Sequence, residues 1–96
     1  MYISYEQVAI SSAAKDVDDL TVPAQATHAE IQADDAGPLR YTLDGSTAAT
    51  VNLGMLLPAG GEPKLIPILD LNNISFIRDN TTDTTLHIHY IGTSIS

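Results

Sequence analysis

The sequence predicts an all-β protein: an antiparallel β-sandwich or squat barrel of about seven to eight strands, built as one domain over residues 1–96. Three observations predict it. Apolar residues recur at every second position in several runs, the signature of strands with one buried and one wet face. Turn-forming clusters break these runs at close to the ~8–12-residue spacing of sandwiches and barrels. The two segments able to hold a helical turn, Ala13 to Leu20 and Thr50 to Leu57, are too short to stand alone as helices.

The first strand, near 2–10, carries Ile3, Tyr5, Val8 and Ile10, and its phase changes between Tyr5 and Val8, as a β-bulge would cause. A short strand is expected near 19–22. In the next, near 27–33, Ala29, Ile31 and Ala33 alternate with His28, Glu30 and Gln32. Asp34-Asp35-Ala36-Gly37-Pro38 should then turn the chain as a hairpin loop into a strand near 38–44, where Leu39, Tyr41 and Leu43 alternate with Arg40, Thr42 and Asp44. Asp44-Gly45 is a strong turn dipeptide, because Gly takes positive φ readily and the Asp carboxylate can bond the turn backbone. Loops at Pro58 to Pro63, Asp70 to Asn73 and Asp79 to Asp83 bound strands near 64–69, 73–78 and 84–91. In the last of these, Leu86, Ile88 and Tyr90 alternate with His87, His89 and Ile91.

Composition narrows the function. Four basic residues against twelve acidic ones give a net charge of −8. Lys15, Arg40, Lys64 and Arg78 are scattered, whereas nucleic-acid binding needs clustered positive charge to displace counterions from phosphate. Anionic membranes are disfavoured for the same reason. Met1 to Glu6 lacks the basic start and apolar core of a signal peptide, so synthesis in a cytoplasm is the expectation. The absence of Cys excludes disulfides and Cys-based metal centres.

No residue set commits to catalysis, and the expectation is a non-enzyme with no cofactor and no metal. Ser, His and Asp occur without a Gly-x-Ser-x-Gly elbow or a glycine-rich phosphate loop. His87 and His89 fall on one face of a strand and could begin a zinc site, but two further ligands are required and nothing in the sequence places His28 beside them. The bland reading, a polar or intersubunit face, is preferred. Tyr2, Tyr5, His87 and His89 are therefore the expected interface residues. Asp16, Asp18 and Asp19 resemble the start of a calcium loop, yet Thr21 and Thr27 stand where Gly and an acid are needed. Asp79, Asn80 and Asp83 follow no metal-binding template. Asn73-Ile74-Ser75 and Asn80-Thr81-Thr82 match the glycosylation pattern and, without a secretion signal, read as chance.

Two resemblances remain. Arg40-Tyr41-Thr42-Leu43-Asp44-Gly45-Ser46-Thr47 is similar to part of a small fibronectin-like domain at the ends of some glycoside hydrolases, although Ala48 stands where that domain has Pro. More of the chain resembles a family of small bacteriophage and prophage virion proteins. The shared layout is Tyr5-Glu6-Gln7-Val8, Leu20 to Pro23, Ala26 to Ala29, the Arg40–Thr47 stretch, Gly54 to Gly60, Phe76 to Asp79, and a close on His89-Tyr90. That resemblance implies a structural role without catalytic residues. The expectation is a capsid decoration (cement) protein on the capsid surface, a homo-oligomer with a trimer favoured, bound to the major capsid protein or other virion proteins. A head–tail connector or tail accessory protein, and a prophage-encoded adhesion or sugar-binding module, stay open as alternatives.

Overall fold

Burial follows the alternation of the sequence. Ala29, Ile31 and Ala33 are buried, as are Leu39 and Tyr41, and Leu86, Ile88 and Tyr90, while the residues between them are more exposed. In the computed structural model, which describes residues 1–46, 48–50, 53–79 and 82–92, these runs form eight strands. They are β1 (Tyr2–Ile10), β2 (Lys15–Asp16), β3 (Ala26–Ala33), β4 (Leu39–Thr42), β5 (Met55–Leu57), β6 (Lys64–Pro67), β7 (Ser75–Arg78) and β8 (Thr84–Gly92). One sheet has the order β1-β8-β3-β6 and the other β2-β7-β4-β5, with every pairing between these named strands antiparallel. The inner faces meet in one core that includes Phe76, Leu39, Ile31, Ile66, Leu86, Ile88 and Tyr90. The fold is thus the expected all-β sandwich.

The connections differ from the one expected hairpin. Among the named strands only β4 and β5 follow each other within one sheet; every other connection passes from one sheet to the other. The Asp34–Pro38 loop is such a crossing. It leaves β3 in the first sheet and enters β4 in the second, held by the Asp34 N–H on the Thr85 carbonyl at 2.9 Å and the Gly37 N–H on the Asp34 carbonyl.

Other differences have local causes. The segment 19–22 is not a strand: Val17–Asp19 forms a single 3-10 turn, capped by the Asp16 carboxylate on the Asp18 N–H, with the Asp19 side chain returning to the Asp16 N–H. That turn lies inside the Ala13 to Leu20 segment, one of the two read as able to hold a helical turn. The strand from Lys64 stops at Pro67, whose extended backbone opens the helical turn α1 (Ile68–Leu71). The stretch from Thr50 to Leu57 gives no helical turn among its described residues; Val51 and Asn52 lie outside them, and Met55–Leu57 pairs with β4 instead. Thr47, Asn80 and Thr81 also lie outside the described residues, so the end of the Arg40–Thr47 stretch and part of the acidic Asp79 to Asp83 loop receive no structural account.

The irregularity in β1 lies between Tyr2 and Ser4 rather than between Tyr5 and Val8. Ile3, the residue within it, packs on the core, as do Val8 and Ile10 after it. The shifted phase turns Glu6 inward, opposite Ile88. Its carboxylate accepts the Tyr90 hydroxyl at 2.5 Å and the Thr21 N–H at 2.8 Å. A phenol buried this deeply needs a partner. Burial, and then the adjacent Glu6, push the Tyr90 hydroxyl well above the usual phenol range.

Two predictions follow from these contacts. Gly45 has φ of 77° and is followed by the Ser46 N–H on the Asp44 carboxylate at 3.1 Å, so the Asp44-Gly45 turn forms as expected. Gly45→Val places a β-branched side chain in the left-handed region, with its Cβ 3.0 Å from the Asn73 Oδ1; urea unfolding should show a loss of about 1–3 kcal/mol. For Tyr90, the raised folded pKa means that its contribution to stability is fully present below the ordinary phenol value of 10.0 and is lost as pH rises beyond it. The urea midpoint of the native chain should fall more steeply above about pH 10 than that of Tyr90→Phe; parallel curves would remove Tyr90 as the cause.

Candidate interaction face

The outward face of the β1-β8-β3-β6 sheet gathers the residues with recognition chemistry. Register sets them in rows across the strands. One row runs Tyr2, Ile91, His28, Pro67, and the next runs Tyr5, His89, Glu30, Leu65. A third runs Gln7, His87, Gln32, with Pro63 just before β6. The bulge after Tyr2 puts Tyr2 and Tyr5 on this one face despite their odd spacing. All four residues expected at an interface, Tyr2, Tyr5, His87 and His89, are therefore brought together.

The rings interlock. His89 sits between the two tyrosines, with ring centroids 4.9 Å from each, and Tyr5 lies nearly parallel to His87 at 6.1 Å. A hydrogen-bonded line then crosses β1 and β8 to the β3 end. Gln7 Nε2 donates to Tyr5 Oη at 2.9 Å, Tyr5 Oη and His87 Nδ1 are 2.5 Å apart, and His87 Nε2 lies 2.9 Å from Asp34 Oδ1. A neutral imidazole with its proton on Nε2 satisfies the whole line: it donates to the Asp34 carboxylate and accepts the Tyr5 hydroxyl. The His87 hydrogen bond, helped by the Ala36 N–H, holds the Asp34 carboxyl below its ordinary value.

The order carboxylate, imidazole, hydroxyl is that of a nucleophilic triad. Here the hydroxyl is a phenol on an open sheet, already accepting from Gln7, and not a group in a water-excluding cleft. The line orients rings. It also occupies both nitrogens of His87, which removes that side chain as a free metal ligand. His28 does lie on the same face, yet among the described residues no three metal-ligating side chains converge. Asp16, Asp18 and Asp19 are committed to capping their own turn or exposed beside it.

At the centre of the face is a shallow cavity of about 180 Å³ lined by Tyr5, Glu30, Gln32, Pro63, His87 and His89. Sequence reading missed Glu30, Gln32, Leu65 and Asp34 as members of this face. Alternation does turn Glu30 and Gln32 outward; what the sequence lacks is the register that sets Glu30 against His89 and Leu65.

A second exposed surface lies on the other sheet. Leu53, Met55 and Leu56 are exposed at the β5 edge, and no named strand pairs with the far side of β5. Arg40 and Arg78 are engaged by Asp79 and Asp83, respectively. No described helix is long and apolar enough to cross a membrane. Comparison with family models, curated proteins and solved structures gives no match.

Proposed function

We propose that this chain is a non-catalytic structural subunit that docks onto a larger assembly through the outer face of the β1-β8-β3-β6 sheet. The observation that carries this reading is the face's composition. In a chain of net charge −8, its three rows hold one carboxylate, Glu30, with Asp34 at their end bonded to His87, and no Lys or Arg. Tyrosines, imidazoles, Ile91, Leu65, two prolines and the amides Gln7 and Gln32 fill the rest. Charge depletion with aromatic enrichment is the mark of the central part of a protein interface. The exposed apolar edge at β5 supplies a second contact surface, and a naked apolar edge strand is a surface that proteins normally cover. A subunit repeated in an assembly needs both a contact to its neighbours and a contact to its support.

The assembly we propose is a bacteriophage head shell, with the chain as a decoration protein bound in many copies to the capsid surface. The short motifs from Tyr5-Glu6-Gln7-Val8 to His89-Tyr90 support that choice, and the surface supports docking in general. Weak contacts repeated around a shell suffice, because multivalent attachment multiplies them.

The test is to count copies of this chain in purified particles from the strain that encodes it, and to heat particles with and without it. Copy number should match the shell subunits to within a small ratio, and particles lacking the chain should assemble but burst at lower temperature. A few copies per particle, with unchanged heat resistance and failed tail attachment, would transfer the chain to the head–tail connector. Absence from particles would end the virion reading.

A further inference from the structure

We infer that the cavity at the centre of the docking face receives an arginine side chain of the partner protein. This rests on the proposal that the face is the docking surface. Glu30 supplies the charge. Glu30 is half-buried as a residue in the middle row, and among the described residues it has no ion pair; its one described side-chain bond is a long, exposed one, 3.5 Å, from the Tyr2 hydroxyl. Among the described residues no Lys or Arg pairs with it, and Lys15 lies on β2 in the other sheet. Arg40 and Arg78 are held by Asp79 and Asp83. Lys64 pairs with the inward Ile31 and so belongs to the opposite side of the sheet.

The surroundings suit a guanidinium better than an ammonium or a sugar. Directly across from Glu30, His89 stands between the rings of Tyr2 and Tyr5. A planar cation can stack on such rings while its N–H groups reach a carboxylate, which a compact ammonium cannot do. The Gln32 amide borders the same cavity and offers a further acceptor. Beyond it, Asp34 and Asp35 flank an adjoining recess shared with Gln32 and His87, adding negative potential. A sugar would need several free hydroxyl partners. Tyr5 Oη and both His87 nitrogens are already committed to one another, to Gln7 and to Asp34.

The probe is N-acetyl-arginine methylamide, titrated into the isotope-labelled chain and followed by NMR. N-acetyl-citrulline methylamide, of the same shape without the charge, and galactose are the comparators. The arginine compound should shift the Glu30, His89 and Tyr5 resonances saturably, with citrulline binding at least about tenfold more weakly. Glu30→Gln should abolish the saturable shift while leaving the amide spectrum of the inner residues unchanged. If that variant does not fold, Glu30→Asp, which retracts the carboxylate by one methylene, should weaken binding without abolishing it. Equal binding of citrulline, saturation by galactose alone, or no saturable shift at these residues would overturn the inference. The docking reading is judged separately, by whether Tyr2, Tyr5 and Leu65 become protected in the assembly. Protection there without arginine binding rejects the arginine and keeps the face; no protection rejects both.

Discussion

The alternation of β8 is the constraint on which the rest of the structure depends. β8 lies inside its sheet, paired with β1 on one side and β3 on the other. Leu86, Ile88 and Tyr90 are fully buried on its inner side. Burying three such side chains contributes roughly 5–9 kcal/mol, comparable with the whole stability of a small domain. A slip of one residue would exchange them for His87, His89 and Ile91, placing two imidazoles in the core. The core therefore fixes which side chains of β8 face outward. Through register it also fixes which residues of β1 and β3 stand beside them. The candidate face is a consequence of the packing behind it.

Two polar ties hold the edge strand β1 against β8, one on each side of the sheet. On the inner side, Glu6 accepts from Tyr90 and from the Thr21 backbone, which also fastens the segment after the 3-10 turn. On the outer side, Gln7, Tyr5, His87 and Asp34 form a continuous line. Buried polar groups left unpaired are costly, so the inner tie acts on stability. The outer tie is exposed and contributes less to stability; its effect is to limit the rotamers of Tyr5 and His87. Rings fixed before binding lose less entropy on contact than free ones.

The alternating strands were legible because each buries one face, and burial leaves a period of two in the residues themselves. The pairing of Asp44 with Gly45 was legible because the positive φ there requires a residue type. Partner choice was not legible. Asp34-Asp35-Ala36-Gly37-Pro38 has the composition of a hairpin loop and serves as a crossing, since turn chemistry specifies a change of direction without specifying which sheet receives the chain. Glu6 hid the true position of the bulge, because an inward carboxylate reads as an outward residue until Tyr90 is placed against it. Met55–Leu57 is too short for its period to be read, and its strand character comes from pairing with Leu39 to Tyr41. Of the face, the tyrosines and the two histidines of β8 were visible in the sequence, whereas Glu30 and Leu65 join them only through register.

We propose the outer face of the β1-β8-β3-β6 sheet as the surface that meets the partner. Hydroxyl-radical footprinting of the chain, free in solution and bound in purified particles, tests it most directly. Tyr2, Tyr5, His89, Ile91 and Leu65 should lose reactivity on assembly. If these side chains react equally in both states, with protection confined to the other sheet, the face is solvent-facing in the assembly and the account is wrong.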